Sequence, residues 1–307
     1  MNRHRGPRGC CGRAPVFPAM ACENVYRDVC GLHLSYIFQE PVVREALKYK
    51  PKPGDVFVVS FPKSGSTWMQ QIVYAIYNDG AKPKNLRDFL QKSPFLELVG
   101  LEAMENMPRP GAIKTHLPFN RVPYSPQAKY IFVARNPYDC CVSFYHHTRA
   151  FPEYRFAEGS FDAFLNAFLR GKVDCGDYFD ELLSWYDHIH DDNVLFVTYE
   201  KLKSHTSEEV IKVADFLGSK YGEKLRNQPK ILERILDTIS AKSMAAFNDE
   251  FRKWTEKAAE MTSSRVDEVN DKMDTHLHNR SRDGVTWRLS SWRKAEHVQC
   301  FLRGKAS

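Results

Sequence analysis

No Cys-x2-Cys pair occurs among the 8 cysteines of the chain, so a structural zinc site has no ligand spacing to rest on. The cysteines fall at positions 10, 11, 22, 30, 140, 141, 175 and 300. The adjacent pairs Cys10-Cys11 and Cys140-Cys141 do not look like a disulfide framework, and free thiols in a reducing compartment are the simpler reading. No apolar run approaches the ~18 residues of a membrane span. The N-terminus carries arginine but not the apolar stretch of a signal peptide. The expectation is a cytoplasmic chain with no membrane association. Residues 1–20 contain no acid and no lysine; Arg3, Arg5, Arg8 and Arg13 supply four of the net charge of +6 and leave +2 for the rest. That argues against a nucleic-acid-binding body and fits one polyanionic ligand in a local basic site. Internal repeats are also missing.

What is present is a length of 307 residues, enough for one large α/β domain with a full core. Residues 1–22, rich in Arg, Gly, Pro and Cys, read as a flexible basic extension, and 23–307 as the folded domain. Strands and helices then alternate. Asp55–Phe61 reads as a buried strand, followed by a Gly/Ser loop and a helix with apolar positions Met69, Ile72, Val73, Ile76 and Tyr77. Ala112–His116 and Tyr130–Ala134 read as strands. After the latter, Asn136 suits an N-cap and Pro137 the first helical position. Ser160 caps a helix striped by Phe161, Phe164, Leu165, Phe168 and Leu169. Tyr178–Ile189 is a further amphipathic helix, Val194–Tyr199 a strand, and Ser207–Leu217 a helix stopped by Gly218. This order predicts a P-loop-like three-layer α/β/α sandwich around a central parallel sheet. Ligands of such sheets bind at the carboxyl ends of the strands. Residues 241–285 are charged and poorly periodic and read as a long, partly mobile segment.

The most telling block is Phe61-Pro62-Lys63-Ser64-Gly65-Ser66-Thr67-Trp68. A strand, a short loop and a helix start make an anion site, because helix N–H groups and the helix dipole favour negative charge. It is not a Walker A loop, where Lys directly precedes the magnesium-holding Ser/Thr, and no acid adjoins it. A P-loop kinase is disfavoured for both reasons. Lys114-Thr115-His116-Leu117-Pro118 is the second block; residues two apart on a strand share a face, so Lys114 and His116 project together. Histidine near its ordinary pKa can take a proton from a hydroxyl. The third block, Val133-Ala134-Arg135-Asn136-Pro137, places an arginine at a strand end, where its planar fork suits a phosphate.

Together these blocks resemble the cytosolic sulfotransferase family, which moves a sulfuryl group from 3′-phosphoadenosine 5′-phosphosulfate (PAPS) to a small acceptor and releases adenosine 3′,5′-bisphosphate. The resemblance runs from about residue 30 to 295. It implies that Lys63, Ser64, Gly65, Ser66, Thr67 and Trp68 hold the 5′-phosphosulfate and the base, and that Arg135 and Ser143 grip the 3′-phosphate. It also places Tyr199 near the adenine and makes Ser240, Arg280 and Arg282 further cofactor contacts. His116 becomes the general base, Lys114 and Lys63 electrostatic stabilisers, and Ser143 a member of the catalytic set. Such chemistry is metal-free. Phe95, Leu98 and His147, with Lys114 and His116, are implied in acceptor binding. Golgi members that act on glycans or tyrosines usually carry an N-terminal anchor, which this chain lacks, so a phenol, catecholamine or steroid-like acceptor is expected. Arg280-Ser281-Arg282-Asp283-Gly284-Val285-Thr286-Trp287 departs from the family's Arg-Lys-Gly and Gly-Asp-Trp. Ala241 stands where an aromatic usually packs on the adenine. No clear copy of the family's short dimerisation motif is present, which leaves a homodimer open. The rival reading is a catalytically weak PAPS- or ligand-binding protein on the same fold. His276-Leu-His278 and His188-Ile-His190 lack ligand partners at metal spacing.

Overall fold

The computed structural model describes residues 25–247, 249 and 250. The basic extension, Arg280, Arg282, Trp287 and most of the 241–285 segment lie outside the described residues. The chain opens with a small antiparallel hairpin, β1 (Tyr26–Val29) and β2 (Leu32–Ser35). Helix α1 (Glu40–Ala46) follows, then β3 (Val56–Val59), α2 (Ser66–Tyr77), α3 (Leu86–Lys92) and α4 (Leu96–Glu105). Next come β4 (Ile113–Thr115), β5 (Lys129–Ala134), α5 (Pro137–Ala150), α6 (Phe161–Leu169) and α7 (Tyr178–Tyr186). Then follow β6 (Val194–Thr198), α8 (Tyr199–Ser204), α9 (Thr206–Leu217), α10 (Ser219–Asn227) and α11 (Pro229–Thr238), and residues 241–247 are helical again.

Strands β4, β3, β5 and β6 lie side by side in that order, all parallel. Every residue of β3 is buried, as a parallel sheet covered on both faces requires. Neighbouring strand residues face opposite sides, and the core divides accordingly. Phe57, Val59, Tyr130 and Phe132 pack with Phe144 of α5, Phe164 of α6 and Trp185 of α7. Val56, Val58, Ile131 and Val133 pack with Ile72 of α2, Val210 of α9 and Ile231 of α11. Two helical layers therefore sandwich one sheet, as expected. Burial of each such Val, Ile or Phe stabilises the sandwich by about 1.5–3 kcal/mol.

Local signals behave as their chemistry dictates. The Asn136 side chain accepts from Tyr138 N–H at the start of α5, with Pro137 at its first position. Ser160 accepts from Ala163 N–H at the start of α6. Four expected elements are shorter in the structure: the strands at 112–116 and 194–199 shrink to Ile113–Thr115 and Val194–Thr198. The helix from Tyr178 ends at Tyr186, and the strand at Asp55 begins at Val56 and ends at Val59. Beyond Val59 the chain leaves the sheet to form the loop before α2.

Candidate active site

The carboxyl ends of β3, β4 and β5 converge on one rim. Gly65 caps α2 in the left-handed region, at φ 108°. A Cβ there would lie 2.8 Å from Tyr199 Cδ2, so conformation and space both demand glycine. Lys63 also has positive φ, 71°. Among the described residues no side chain caps α2, and no acid stands in its first turn, where Ser66 and Thr67 are buried. Its first N–H groups are therefore open to an external anion. Arg135 leaves β5 toward this loop: one guanidinium nitrogen donates to the Lys63 carbonyl at 3.0 Å. Its plane lies 4.4 Å over the Tyr199 ring, and its buried Nε has no partner among the described residues. Tyr199 in turn meets Trp68 edge-on at 5.6 Å. The Trp68 indole N–H donates at 3.0 Å to the carbonyl of Ile239, directly before Ser240. Cys140, buried beside the loop, donates to the Pro62 carbonyl at 3.3 Å; burial pushes its thiol up to about 12, which keeps it unreactive.

His116 follows β4 and is buried. Its Nδ1 bonds the Ser60 carbonyl at the end of β3. A carbonyl only accepts, so Nδ1 carries the proton and Nε2 keeps its lone pair. Burial, then the charge of Lys114, hold the imidazole well below its usual pKa, so it is neutral at pH 7. Lys114 is equally buried, and burial lowers its ammonium to about 8. Its Nζ lies 4.5 Å from the Phe95 ring centre, and Phe95 meets His116 edge-on at 4.9 Å.

A residue that sequence reasoning passed over holds this strand end. Glu97 accepts from the His116 backbone N–H at 2.6 Å and from the Thr115 hydroxyl at 3.0 Å. Burial raises its carboxyl to about 7. Its only sequence signal was a lone acid inside the apolar run Phe95-Leu96-Glu97-Leu98.

Lys63, Gly65, Ser66, Thr67, Lys114, His116 and His147 line a common cleft with Phe38, Phe144, Tyr154 and Asp174. Phe38, Tyr154 and Asp174 were not anticipated. Trp68, Arg135 and Tyr199 form the adjoining rim. Phe95 and Leu98 are both buried and are not among the cleft-lining residues. Ser143, on the second turn of α5, is half-buried and is not among the cleft-lining residues. Ser240 accepts from the backbone N–H of Ser243 at 3.3 Å.

An α/β/α sandwich with an open anion loop beside a buried Lys–His pair is built as a group-transfer enzyme. Residues 53–289 match the family model described as a sulfotransferase domain, and the chain belongs to the sulfotransferase family. Mouse sulfotransferase 1 family member D1 is 34% identical over 193 residues, 59% of this chain and 64% of that protein. The chain thus spans somewhat under two thirds of that relative. Rat sulfotransferase 1C2 is 31% identical over 224 residues, covering 68% of this chain and 73% of its own. Among solved structures, mouse sulfotransferase SULT7A1 complexed with PAP superposes with a TM-score of 0.58 at 27% identity, covering 72% of this chain and 76% of that one.

Among the described residues no helix is long and apolar enough to cross a membrane, and Cys30, Cys140, Cys141 and Cys175 are free thiols.

Proposed function

We propose that the protein transfers a sulfuryl group from PAPS to a hydroxyl or amine of a small acceptor in the cytoplasm, without a metal. The observation that carries this is the buried Lys114–His116 pair beside the uncapped start of α2, with His116 Nδ1 tied to the Ser60 carbonyl. The residues fit the donor: Gly65 leaves a cradle that a Cβ would fill, and Arg135 keeps a buried Nε unengaged among the described residues. Lys63 through Trp68 would hold the 5′ end, Arg135 and Ser143 the 3′-phosphate, and Trp68, Tyr199 and Ser240 the base. Arg280 and Arg282, outside the described residues, complete this assignment. When bound, PAPS supplies the sulfuryl group: its sulfur–oxygen bond to the 5′-phosphate breaks as the bond to the acceptor oxygen or nitrogen forms, and adenosine 3′,5′-bisphosphate leaves.

The chain's own residues do the rest. Neutral His116 accepts the acceptor's proton at Nε2, the nitrogen the Ser60 carbonyl leaves free. The Lys114 ammonium faces the negative charge that builds during transfer, and Lys63 faces the departing phosphate. Lys114, which is buried, acts more strongly there than in water. Phe95, through its contacts with Lys114 and His116, and His147 shape the acceptor side.

The test is transfer of radiolabelled sulfate from PAPS to a panel of phenols, amines and steroids, with wild type and His116→Ala side by side. The variant should lose on the order of 100-fold or more in kcat while still binding adenosine 3′,5′-bisphosphate. A wild type that binds the bisphosphate yet sulfates nothing would favour a binding protein instead.

A further inference from the structure

The edge of the sheet is finished with a charge at the point where it meets the cleft. Strand β4 is an edge strand, and its outward N–H groups fall on every second residue. The Ala112 N–H donates to the Lys92 carbonyl at 2.9 Å and the Lys114 N–H to the Pro94 carbonyl at 2.8 Å. His116 is next in the series. The carbonyl that would continue the pattern belongs to Leu96, already the first residue of α4. The His116 N–H goes instead to the Glu97 carboxylate, at 2.6 Å. The same oxygen accepts from the Thr115 hydroxyl at 3.0 Å. The second oxygen is buried without a hydrogen-bond partner among the described residues.

An acceptor alone does not call for an acid, since the amide oxygen of a glutamine could take both bonds. What the acid adds is negative charge beside the strand that carries Lys114. Both side chains are buried, Glu97 at 2% and Lys114 at 4% exposure. Neither forms an ion pair among the described residues, but charges out of water act beyond contact distance. Burial raises the Glu97 carboxyl to about 7 and lowers the Lys114 ammonium to about 8, and the attraction between the two opposes both shifts. The other groups near Lys114 were weighed against the same range. His116 on its own strand and His147 of α5 lie well below the usual imidazole value, chiefly through burial. The Cys175 thiol and the Tyr154 hydroxyl are held well above theirs by burial. Burial brings Asp174, which lines the cleft with Lys63, to about 6. Glu97 is thus the acid whose charge changes just before that of Lys114 as pH rises.

We propose that Glu97 is a positioning residue that acts through its charge: its carboxylate keeps the Lys114 side chain an ammonium, while its bond to the His116 N–H fixes the strand end from which both side chains reach the reacting group. The proposal rests on the transfer reaction above.

Glu97→Gln keeps an acceptor and removes the charge. The turnover kcat is followed from about pH 6 to 9, with saturating PAPS and one phenol that the wild type sulfates. Without the carboxylate, Lys114 loses its proton at lower pH. The basic limb of kcat should move down by about one pH unit. The deficit against wild type should be on the order of fivefold greater at pH 8 than at pH 6. A carboxyl that only fastened the strand would cost the same factor at every pH, and an unmoved limb overturns the proposal. A second readout needs no turnover: the carbon-13 shift of Lys114 Cε, assigned with Lys114→Arg, titrated in the free protein. Wild type should show an inflection where Glu97 titrates, near pH 7, besides the one of Lys114 itself, and Glu97→Gln should lose it. A single inflection in wild type overturns the proposal. If the variant does not fold, this wild-type titration decides alone. Two inflections in a wild type that sulfates nothing would sink the transfer reaction and leave the charge coupling standing. Turnover with a single inflection would do the reverse.

Discussion

Two helices start at the same rim of the sheet, and they start differently. Helix α5 is closed: the Asn136 side chain takes the Tyr138 N–H, Pro137 needs no partner, and Asp139 answers the dipole in the first turn. Helix α2 is left open: its cap is glycine, no side chain among the described residues accepts from its start, and its first turn has no acid. Beside the closed start stand exposed Asn136, Tyr138 and Asp139; beside the open one stand buried Lys114 and His116. One junction stabilises the fold. The other leaves backbone donors without a side-chain acceptor among the described residues, at a cost in stability that a bound anion would offset.

Substitutions can break that contrast. The largest effect is expected from Gly65→Ala, where a Cβ meets Tyr199 at 2.8 Å with φ at 108°. Affinity for adenosine 3′,5′-bisphosphate, read by calorimetry, should fall on the order of 100-fold. A loss within threefold would show that glycine does not define the opening. Next is Lys114→Met, which removes a buried charge and should raise stability by about 1–3 kcal/mol at pH 7 in urea melts, while abolishing transfer. The pH dependence has a definite sign. The folded ammonium titrates near 8, below its ordinary 10.5, so between those values the unfolded chain binds more protons. Wild-type stability therefore gains over that window. The advantage of Lys114→Met should be full below pH 8 and fade as pH approaches 10.5; an advantage independent of pH would assign it to packing. The smallest effect belongs to Asn136→Ala. It should cost about 1 kcal/mol of stability and change bisphosphate affinity by no more than about twofold. A large fall in affinity would erase the division between the two starts.

The contrast also explains what the sequence made legible. The capped start of α5 is written in adjacent residues, and so is the loop of α2, where a Lys-Ser-Gly-Ser-Thr run between an apolar strand and a helix has few other uses. Buried β3 and β5 announce themselves as apolar runs. Other parts depend on what folds against them. The β1–β2 hairpin is four residues a side around Cys30 and Gly31, both at positive φ. Helices α1 and α3 have seven residues each, too few for a helical period to show. Helix α4 is broken at Gly100, where φ is 73°. In the site, Lys114 and His116 share a strand face and could be paired by spacing alone. Glu97, Tyr154 and Asp174 could not. Each is a single polar residue in an unremarkable segment, and Asp174 meets Ser35 across 139 positions of chain.

The bond from His116 to the Ser60 carbonyl crosses from β4 to the strand that delivers the anion loop. Its partner sits just before Phe61, so any shift of that loop changes the environment of the imidazole. The tautomer then becomes a readable signal. Nitrogen-15 chemical shifts of His116 would distinguish a protonated Nδ1 from a protonated Nε2, so one labelled ring would tell an observer whether the neighbouring loop is seated, with no acceptor present.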